Sequence, residues 1–488
     1  MTIPSNIRVP FMAVEIDPTH AFLGPSLLEY SALIMAQKLA SGTKPELALY
    51  SISSADQAGK YFGVGSQCHR MAISWFKNNK ITPLTIAPID DAGAGVAASG
   101  KYTVTGTATA SGTISMTIAG TLITSAVTSG DNATAVGDAM ATAINLDTSL
   151  PVTAANVAGV VTLTAKNKGE AGNDIDLRLN FNDNEVTPAG ISVAVTAMSS
   201  GSTNPDVREI LDILGDEWFQ IMVGAWVDTV NLGKIETELA DRFGPTRMID
   251  GLYFCSKRGS LGTLSAFGNG RNSPHVCCVA SEKFPSEALQ IASAVAGRIA
   301  TEGSADPARP FQTLELSGII APAITERFTF AENNALLFDG ISTLSIDSAS
   351  KTRIQRTITM YQKNDSGAVD IAYLDVNTML TLLYLRWDFR MNILTKYPRS
   401  KLADDGVSVQ SGMSIITPKI GKAEAIAKFR QWEFLGLVEN IDQFKADLVC
   451  QRSITDPNRL EWILPPDLVN QFRVGATTLQ FLLQSSAV

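Results

Sequence analysis

Residues 374–397 are the stretch that most limits how this chain can fold, because their pattern predicts a helix that is apolar on most of its surface. Asp375 suits an N-cap and Pro398 cannot continue a helix, so both ends are marked. Apolar residues recur at steps of three and four: Val376, Met379, Leu380, Leu383, Trp387, Met391 and Leu394. A second side adds Leu382, Leu385, Phe389 and Ile393. We expect other parts of the chain to enclose this helix almost all round, since Arg386, Asp388 and Arg390 interrupt the run that a bilayer would need.

Length and composition predict a globular protein of several domains. The chain has 488 residues, and about 150 residues per domain gives three domains. Its 45% hydrophobic and 18% charged content is typical of folded proteins. A net charge of −9 gives no electrostatic reason to bind nucleic acid, and no stretch predicts membrane insertion. The first 18 residues lack a basic segment followed by an apolar one, so we expect no secretion signal and synthesis in the cytosol.

We find no residue pattern that predicts catalysis, a cofactor or a metal. The cysteines form no Cys-x-x-Cys pair and are expected to be buried, reduced thiols: Cys68, Cys255, Cys277, Cys278 and Cys450. The histidines have no ligand partner at metal-binding spacing: His20, His69 and His275. The glycine-containing stretches 63–66 and 268–270 lack the remaining residues of a phosphate loop or a dinucleotide motif, so both are predicted turns. These absences do not exclude an enzyme, but they favour a structural or assembly role.

Strands and helices alternate on both sides of a long interruption, which predicts an α/β fold with a parallel sheet. The predicted strands are 32–36, 83–88, 219–226, 252–255 and 276–280. The predicted helices are 54–78, 206–214, 232–243 and 286–301. We expect residues 26–95 and 203–305 to form one α/β unit, called the body.

The interruption, residues 96–202, has a different composition. Thr, Ala, Gly, Ser and Val dominate, and Phe181 is the one aromatic residue between 103 and 202. Apolar and polar residues alternate as in half-buried strands, and one helix is predicted at 131–145. We expect a small α+β domain, called the insert, placed in a surface loop of the body without disturbing its sheet. Because its core consists of small residues, we expect the insert to be the least stable part of the chain.

Residues 306–470 predict a further α/β unit, called the C-terminal region. It has a short helix at 328–338, strands at 343–346 and 353–360, and the apolar helix already described. A second amphipathic helix follows at 423–437. Strands at 444–450 and 460–464 flank Asp456-Pro457-Asn458, which is typical of a hairpin.

Both chain ends are extended, apolar and too short to form a core alone. The N-terminal arm is residues 1–25, and the C-terminal arm is residues 471–488. Their large apolar residues are Phe11, Met12, Val14 and Ile16 at one end, and Phe472, Val474, Leu479, Phe481 and Leu483 at the other. Burying each gains about 1.5–3 kcal/mol. The C-terminal arm must either fold back or bind a neighbour, and for residues 1–25 a frayed terminus is the alternative.

Strings along nearly the whole chain resemble the tail sheath proteins of contractile-tailed bacteriophages, in particular those of Mu-like phages. They are IPSNIRVPFMAVEID, SADQAGKYFGVGSQCHRMAISWFKNN, PLTIAPIDDAGAGVAASG, GTATASGTISMTIAG, LTAKNKGEAGND, AENNALLFDGIST and TITMYQKNDSG. Phe11-Met12 departs from the Pro-Gly-Val-like residues expected in the family.

The resemblance implies a structural subunit of the virion that is assembled in the host cytoplasm. Such subunits form stacked hexameric rings around a tail tube and contract to drive the tube through the host envelope. Neighbouring subunits complete one another's sheets with their arms. The implied partners are other copies of the chain, the tail tube protein, and baseplate and tail terminator proteins. The insert would face outwards, and Lys422, Lys428 and Arg430 are the residues we expect to face the tube.

Two other functions are compatible with parts of the sequence. A cytosolic α/β enzyme with an accessory β-rich module would be a monomer or dimer with a polar cleft. A surface or adhesion protein could be built around the insert, but the missing secretion signal argues against it.

Overall fold

The structure is a computed structural model that describes residues 28–408 and 412–483. It is a multidomain α/β fold with several separate sheets, which confirms the predicted fold class. Its helices are, in chain order, α1 (Ala55–Phe62), α2 (Gln67–Asn78), α3 (Ala133–Leu146), α4 (Arg208–Leu214), α5 (Thr229–Phe243), α6 (Leu261–Asn269), α7 (Ala288–Ala305), α8 (Phe330–Phe338), α9 (Val376–Lys396), α10 (Pro418–Phe434) and α11 (Ile441–Asp447).

The strands fall into two groups along the chain. Those on either side of the insert and within it are β1 (Ala32–Gln37), β2 (Tyr50–Ile52), β3 (Leu84–Ile89), β4 (Ser99–Gly106), β5 (Gly112–Ile118), β6 (Thr121–Val127), β7 (Val152–Val157), β8 (Val160–Ala165), β9 (Leu177–Leu179), β10 (Ile191–Ser199), β11 (Ile221–Gly224), β12 (Leu252–Lys257) and β13 (Val276–Ala280). Those of the C-terminal region are β14 (Glu315–Ile320), β15 (Thr343–Ile346), β16 (Lys351–Arg356), β17 (Lys401–Leu402), β18 (Ile415–Ile416), β19 (Val438–Glu439), β20 (Val449–Arg452), β21 (Leu460–Ile463) and β22 (Asp467–Leu468).

A six-stranded sheet brings together strands from before and after the insert, in the order β13-β12-β11-β1-β3-β2. All neighbours are parallel except β2, which runs antiparallel to β3. Alternate residues of β1 point to opposite faces, so Ile34 packs with Trp75 on the side of α2 and α7. Met35 packs with Leu232 and Tyr253 on the side of α4, α5 and α6. Both faces are covered, as a parallel sheet requires.

The helix predicted over 54–78 is two helices, α1 and α2. The break lies at Gly63 and Gly65, whose φ angles of 92° and 84° are positive. Such angles end a helix and suit glycine. Ser66 then caps α2 by accepting a hydrogen bond from the backbone N–H of His69. The predicted turn at 63–66 is confirmed, and the predicted continuous helix is wrong.

The insert consists of a four-stranded antiparallel sheet, a three-stranded sheet and α3. The strand orders are β10-β4-β8-β7 and β6-β5-β9. Tyr102, Met116, Met140 and Leu163 lie in its buried core. The strand pattern and helix predicted for this stretch are confirmed, with α3 displaced by one or two residues from 131–145.

The C-terminal region begins with the antiparallel sheet β14-β16-β15, which an isolated bridge between Val279 and Ser342 links to β13. The predicted hairpin around Asp456 is β20–β21. Residues 444–447 were expected to be strand but form the end of α11, because Phe444 is buried against Phe429 of α10, with ring centroids 4.2 Å apart.

The apolar helix α9 is enclosed only over its first two thirds. Leu380 and Leu383 are buried, whereas Met391 is 38% and Leu394 52% exposed. The expectation of cover on all sides is therefore wrong for the last turns of the helix. Asp375 stands at its N-cap but makes no side-chain cap hydrogen bond there, because its carboxylate is engaged by arginines.

Arg386 fastens α9 to the body. Its guanidinium donates to Asp250 Oδ1 at 2.7 Å and to the carbonyl of Phe243 at 2.8 Å. The same group lies over the Phe243 ring, 4.4 Å from the centroid. Burial raises the pKa of Asp250 to about 6, although Arg386 opposes the rise. The joint between body and helix thus contains a carboxyl that titrates in the mildly acidic range.

Asp250→Asn tests this joint through pH. The raised pKa means that the folded state holds the Asp250 proton more tightly than the unfolded state, so stability from this group is present near pH 4 and lost as pH rises through about 6. Asparagine still accepts from Arg386 and cannot ionise. We expect the variant to gain stability relative to wild type as pH rises from 4 to 7 in urea denaturation. A difference that is constant with pH would contradict this account.

Candidate assembly interface

The polypeptide leaves its own fold at Arg473. Strand β22 pairs with β19, and the chain then runs along the C-terminal region. Gln471 Nε2 donates to the carbonyl of Ala308 at 3.2 Å. Arg473 Nη2 donates to Asp375 Oδ1 at 2.8 Å, and the Arg473 side chain is 15% exposed. These contacts hold the start of the C-terminal arm against the N-terminus of α9.

Beyond this point, residues 474–483 form no helix or strand and pair with no other described residue through backbone hydrogen bonds. The apolar side chains of the arm are 75–98% exposed: Phe472, Val474, Leu479, Phe481, Leu482 and Leu483. An unpaired segment with this much exposed apolar surface is unfavourable in water. The apolar residues predicted for the C-terminal arm are therefore exposed to solvent in the subunit. The corresponding N-terminal residues, Phe11, Met12, Val14 and Ile16, lie outside the described residues.

The C-terminal region contains strand pairs whose edges are open to a further strand. In the described residues, β17–β18, β19–β22 and β20–β21 are sheets of two strands each. Two-stranded sheets are marginally stable alone, and their unpaired N–H and C=O groups can pair with another chain. Ile463 at the end of β21 is 62% exposed. These edges offer the kind of surface that an extended apolar segment fits.

The β20–β21 hairpin is seated on α10 by a glycine. A Cβ on Gly421 would lie 2.7 Å from Cys450 Sγ and 3.1 Å from Trp462 Nε1, so a larger residue would push the hairpin away. Trp462 Nε1 donates to the Gly421 carbonyl at 3.2 Å, and its ring packs edge-on against Phe389 of α9. The hairpin is therefore positioned by both α9 and α10.

The predicted tube-facing residues do not share one environment. Arg430 is exposed on α10 and Lys422 is half-buried. Lys428 is buried, with its ammonium 2.8 Å from Asp388 Oδ1. Trp432 Nε1 donates to the other oxygen of Asp388 at 2.7 Å. The expectation that Lys428 faces a partner is wrong, because Lys428 is buried and its ammonium forms an ion pair that joins α10 to α9.

Glu424 ties the other side of α10 to the end of α9. It accepts from Lys396 Nζ at 2.7 Å and from the Tyr397 hydroxyl at 2.8 Å. Burial opposes ionisation of Glu424, but the hydrogen bonds outweigh it and lower its pKa. Burial and the contact with Glu424 raise the pKa of Tyr397 to about 12. The Glu424 carboxylate therefore pairs with residues of α9 and its C-cap, and not with Arg430.

The crevice in which an α/β enzyme would bind its substrate is filled. Ligands of such folds bind at the carboxyl ends of the parallel strands. Here residues 166–178 of the insert cover that end, and the space beside Asp174, Ser256 and Glu287 is about 10 Å³. The described residues contain no group of three or more His, Cys, Asp or Glu placed to hold a metal ion. Nor does any helix within 28–408 and 412–483 have the length and apolarity needed to span a membrane.

Comparisons with known proteins identify the class. Residues 200–360 match the family model of the phage tail sheath protein central domain, and residues 368–481 match that of the phage tail sheath C-terminal domain. The chain is 39% identical over 481 residues to the Mu-like prophage FluMu tail sheath protein of Haemophilus influenzae, which covers 99% of each chain. The chain therefore belongs to the phage tail sheath proteins, in their Mu-like branch.

Two solved structures are similar at low identity. The sheath tail protein of Desulfitobacterium hafniense is 15% identical, with 94% of this chain and 100% of that chain covered and a TM-score of 0.48. The sheath tail protein of Listeria innocua is 12% identical, with 91% and 92% covered and a TM-score of 0.49.

Family membership confirms the resemblance seen in the sequence. The chain is a structural component of a phage tail and not an enzyme. The proposed adhesion protein and α/β enzyme are not supported.

Proposed function

We propose that the chain polymerises as stacked hexameric rings around the tail tube, and that contraction of this sheath drives the tube through the host cell envelope. Assembly takes place in the host cytoplasm, with baseplate and tail terminator proteins at the two ends of the sheath. Family membership supports the sheath role. The observation that carries polymerisation is the free apolar segment 474–483, which has no place in its own subunit among the described residues.

Strand exchange provides the link between copies. A strand added to an open sheet edge satisfies backbone hydrogen bonds, and its alternate side chains enter pockets. Residues 474–483 are long enough to add such a strand, and the open edges lie in the C-terminal region. Residues 1–25 are proposed to act in the same way. Apolar side chains of the segment that are 75–98% exposed in one copy become buried against the next.

The tether at Arg473 would let the link survive rotation of the subunits. Arg473 fixes the start of the arm to Asp375, and Gly475 follows two residues later. Glycine tolerates backbone angles that other residues resist, so this position can absorb a change of direction. Contraction then needs no nucleotide, because two packings of the same linked subunits differ in free energy.

The tube contact is assigned to the exposed side of α10, with Arg430 and Lys422 as its charged residues. Lys428 is withdrawn from this set because it is buried. The proposal requires an acidic surface on the tail tube, since unlike charges favour and orient association. The insert is proposed to face outwards, as the resemblance to the family implies.

Mixing the purified protein with preassembled tail tubes of the same phage tests the proposal. In negative-stain electron micrographs we expect tubes coated by a wider, regularly striated layer. Arg430→Glu should reduce coating, whereas Lys101→Glu, on the exposed surface of the insert, should not. Bare tubes beside monodisperse wild-type protein would contradict the proposed function.

A further inference from the structure

The insert reaches into the body through a buried polar network. Gln37 at the end of β1 donates through Nε2 to Asp91 Oδ1 at 2.6 Å. Asn167 of the insert donates to the same oxygen at 3.0 Å. The Asn167 Oδ1 accepts from the backbone N–H of Gln67 at 3.1 Å, at the start of α2. The N–H of Lys168 donates to Asp91 Oδ2 at 3.0 Å. One insert residue and its neighbour thus connect β1, the end of β3 and α2.

The amide side chains of this network are buried, Asp91 is half-buried, and the network is internally satisfied. Gln37 is 1%, Gln67 2% and Asn167 4% exposed. Gln67 Nε2 donates to Gln37 Oε1 at 2.7 Å, so the two body amides also pair with each other. None of these side chains has a buried polar atom left without a partner. Such a network is costly to leave incomplete, because each orphaned buried group forfeits its hydration.

A second attachment lies at the opposite end of the crevice. Arg178 of β9 donates to Asp176 at 2.6 Å and to Glu326 at 2.7 Å. It also donates to the carbonyl of Lys283, in the loop after β13. Arg258, which follows β12, is 3.5 Å from Asp176. The two attachments therefore bracket the carboxyl ends of the sheet, from β1 and β3 to β12 and β13.

We propose that residues 166–178 are a built-in occupant of the crevice: they take the place that a small-molecule ligand takes in other α/β folds, and the body depends on them for its stability. The insert enters and leaves the body through two adjacent chain segments, where Val96 and Ser202 exchange backbone hydrogen bonds. That connection alone would leave the insert free to turn, and the two attachments fix it. The insert then moves with the body as one unit. This inference does not depend on polymerisation.

Hydrogen–deuterium exchange of the full-length Asn167→Ala and Arg178→Gln variants tests it. Asn167→Ala should speed exchange in body segments 65–70 and 88–92, which are distant from residue 167 in sequence. It should also lower Tm by about 4–8 °C, since buried partners are orphaned. Arg178→Gln, at a partly exposed site, should speed exchange at 281–286 and 324–327 even if the first variant does not fold. Lys101→Ala, an exposed insert residue, is the control and should change neither.

The alternative is that the insert is an appendage. Faster exchange confined to residues 96–202 in both variants, with the body unchanged, would overturn the proposal. So would a Tm of both variants equal to that of the control.

Discussion

Phe481→Lys should abolish sheath assembly while leaving the isolated subunit as stable as wild type. Phe481 is 75% exposed in the subunit, so the substitution costs little there. In the proposed assembly the side chain enters an apolar pocket of a neighbouring copy, where an unpaired ammonium group is strongly disfavoured. We expect no sheathed tubes by electron microscopy and no fast-sedimenting material, at unchanged Tm.

Gln480→Lys is the matched control for this substitution. This substitution introduces the same charge one position earlier. Neighbouring residues of a strand point to opposite faces. In a strand-exchanged sheath Gln480 faces away from the pocket side, so assembly should survive. Equal loss of assembly in both variants would mean that charge on the arm, rather than its seating, is what matters. Normal assembly of the Phe481→Lys variant would show that the C-terminal arm does not link the subunits.

Lys428→Met should lower the free energy of unfolding by about 3–5 kcal/mol, the usual effect of removing one partner of a buried ion pair. Asp388 is 4% exposed and would be left with only the Trp432 N–H as a donor. Because this pair joins α10 to α9, the proposed tube-facing side of α10 should also lose its fixed position. Urea denaturation measures the stability change.

Two further variants test whether the loss of stability comes from the buried ion pair and not from the loss of a positive charge on α10. Arg430→Met, on the same helix but exposed, should change stability by no more than about 0.5 kcal/mol. Adding Asp388→Asn to Lys428→Met removes the orphaned charge and keeps an acceptor for Trp432, so much of the lost stability should return. If Lys428→Met were as mild as Arg430→Met, the buried pair would be irrelevant to the fold.

Local patterns in the sequence predicted most of the elements. The apolar run at 32–36 predicted β1, and the alternation at 460–464 predicted β21. Local patterns failed where distant contacts decided the structure. The 444–447 stretch alternates like a strand but is helical, because Phe444 packs on Phe429. The last turns of α9 are as apolar as the first, yet Leu394 is 52% exposed.

The sequence predicted the apolar arm of the candidate interface, but it did not predict which charged residues of α10 are exposed. Exposed apolar residues after 471 were visible as a segment without a partner. Lys428 could not be distinguished from Arg430 by spacing, since its burial depends on Asp388, 40 positions earlier. The crevice network was equally hidden, because Gln37, Asp91 and Asn167 are polar residues brought together only by the sheet and the insert. Side chains that satisfy one another in the interior carry no local signal.

Cryo-electron microscopy of the assembled sheath would test strand exchange between copies most directly. The account predicts that residues 474–483 form a strand hydrogen-bonded to an open sheet edge in the C-terminal region of a neighbouring subunit, with Phe481 buried against that copy. An arm that folds back onto its own subunit, with no strand given to or received from another copy, would contradict it.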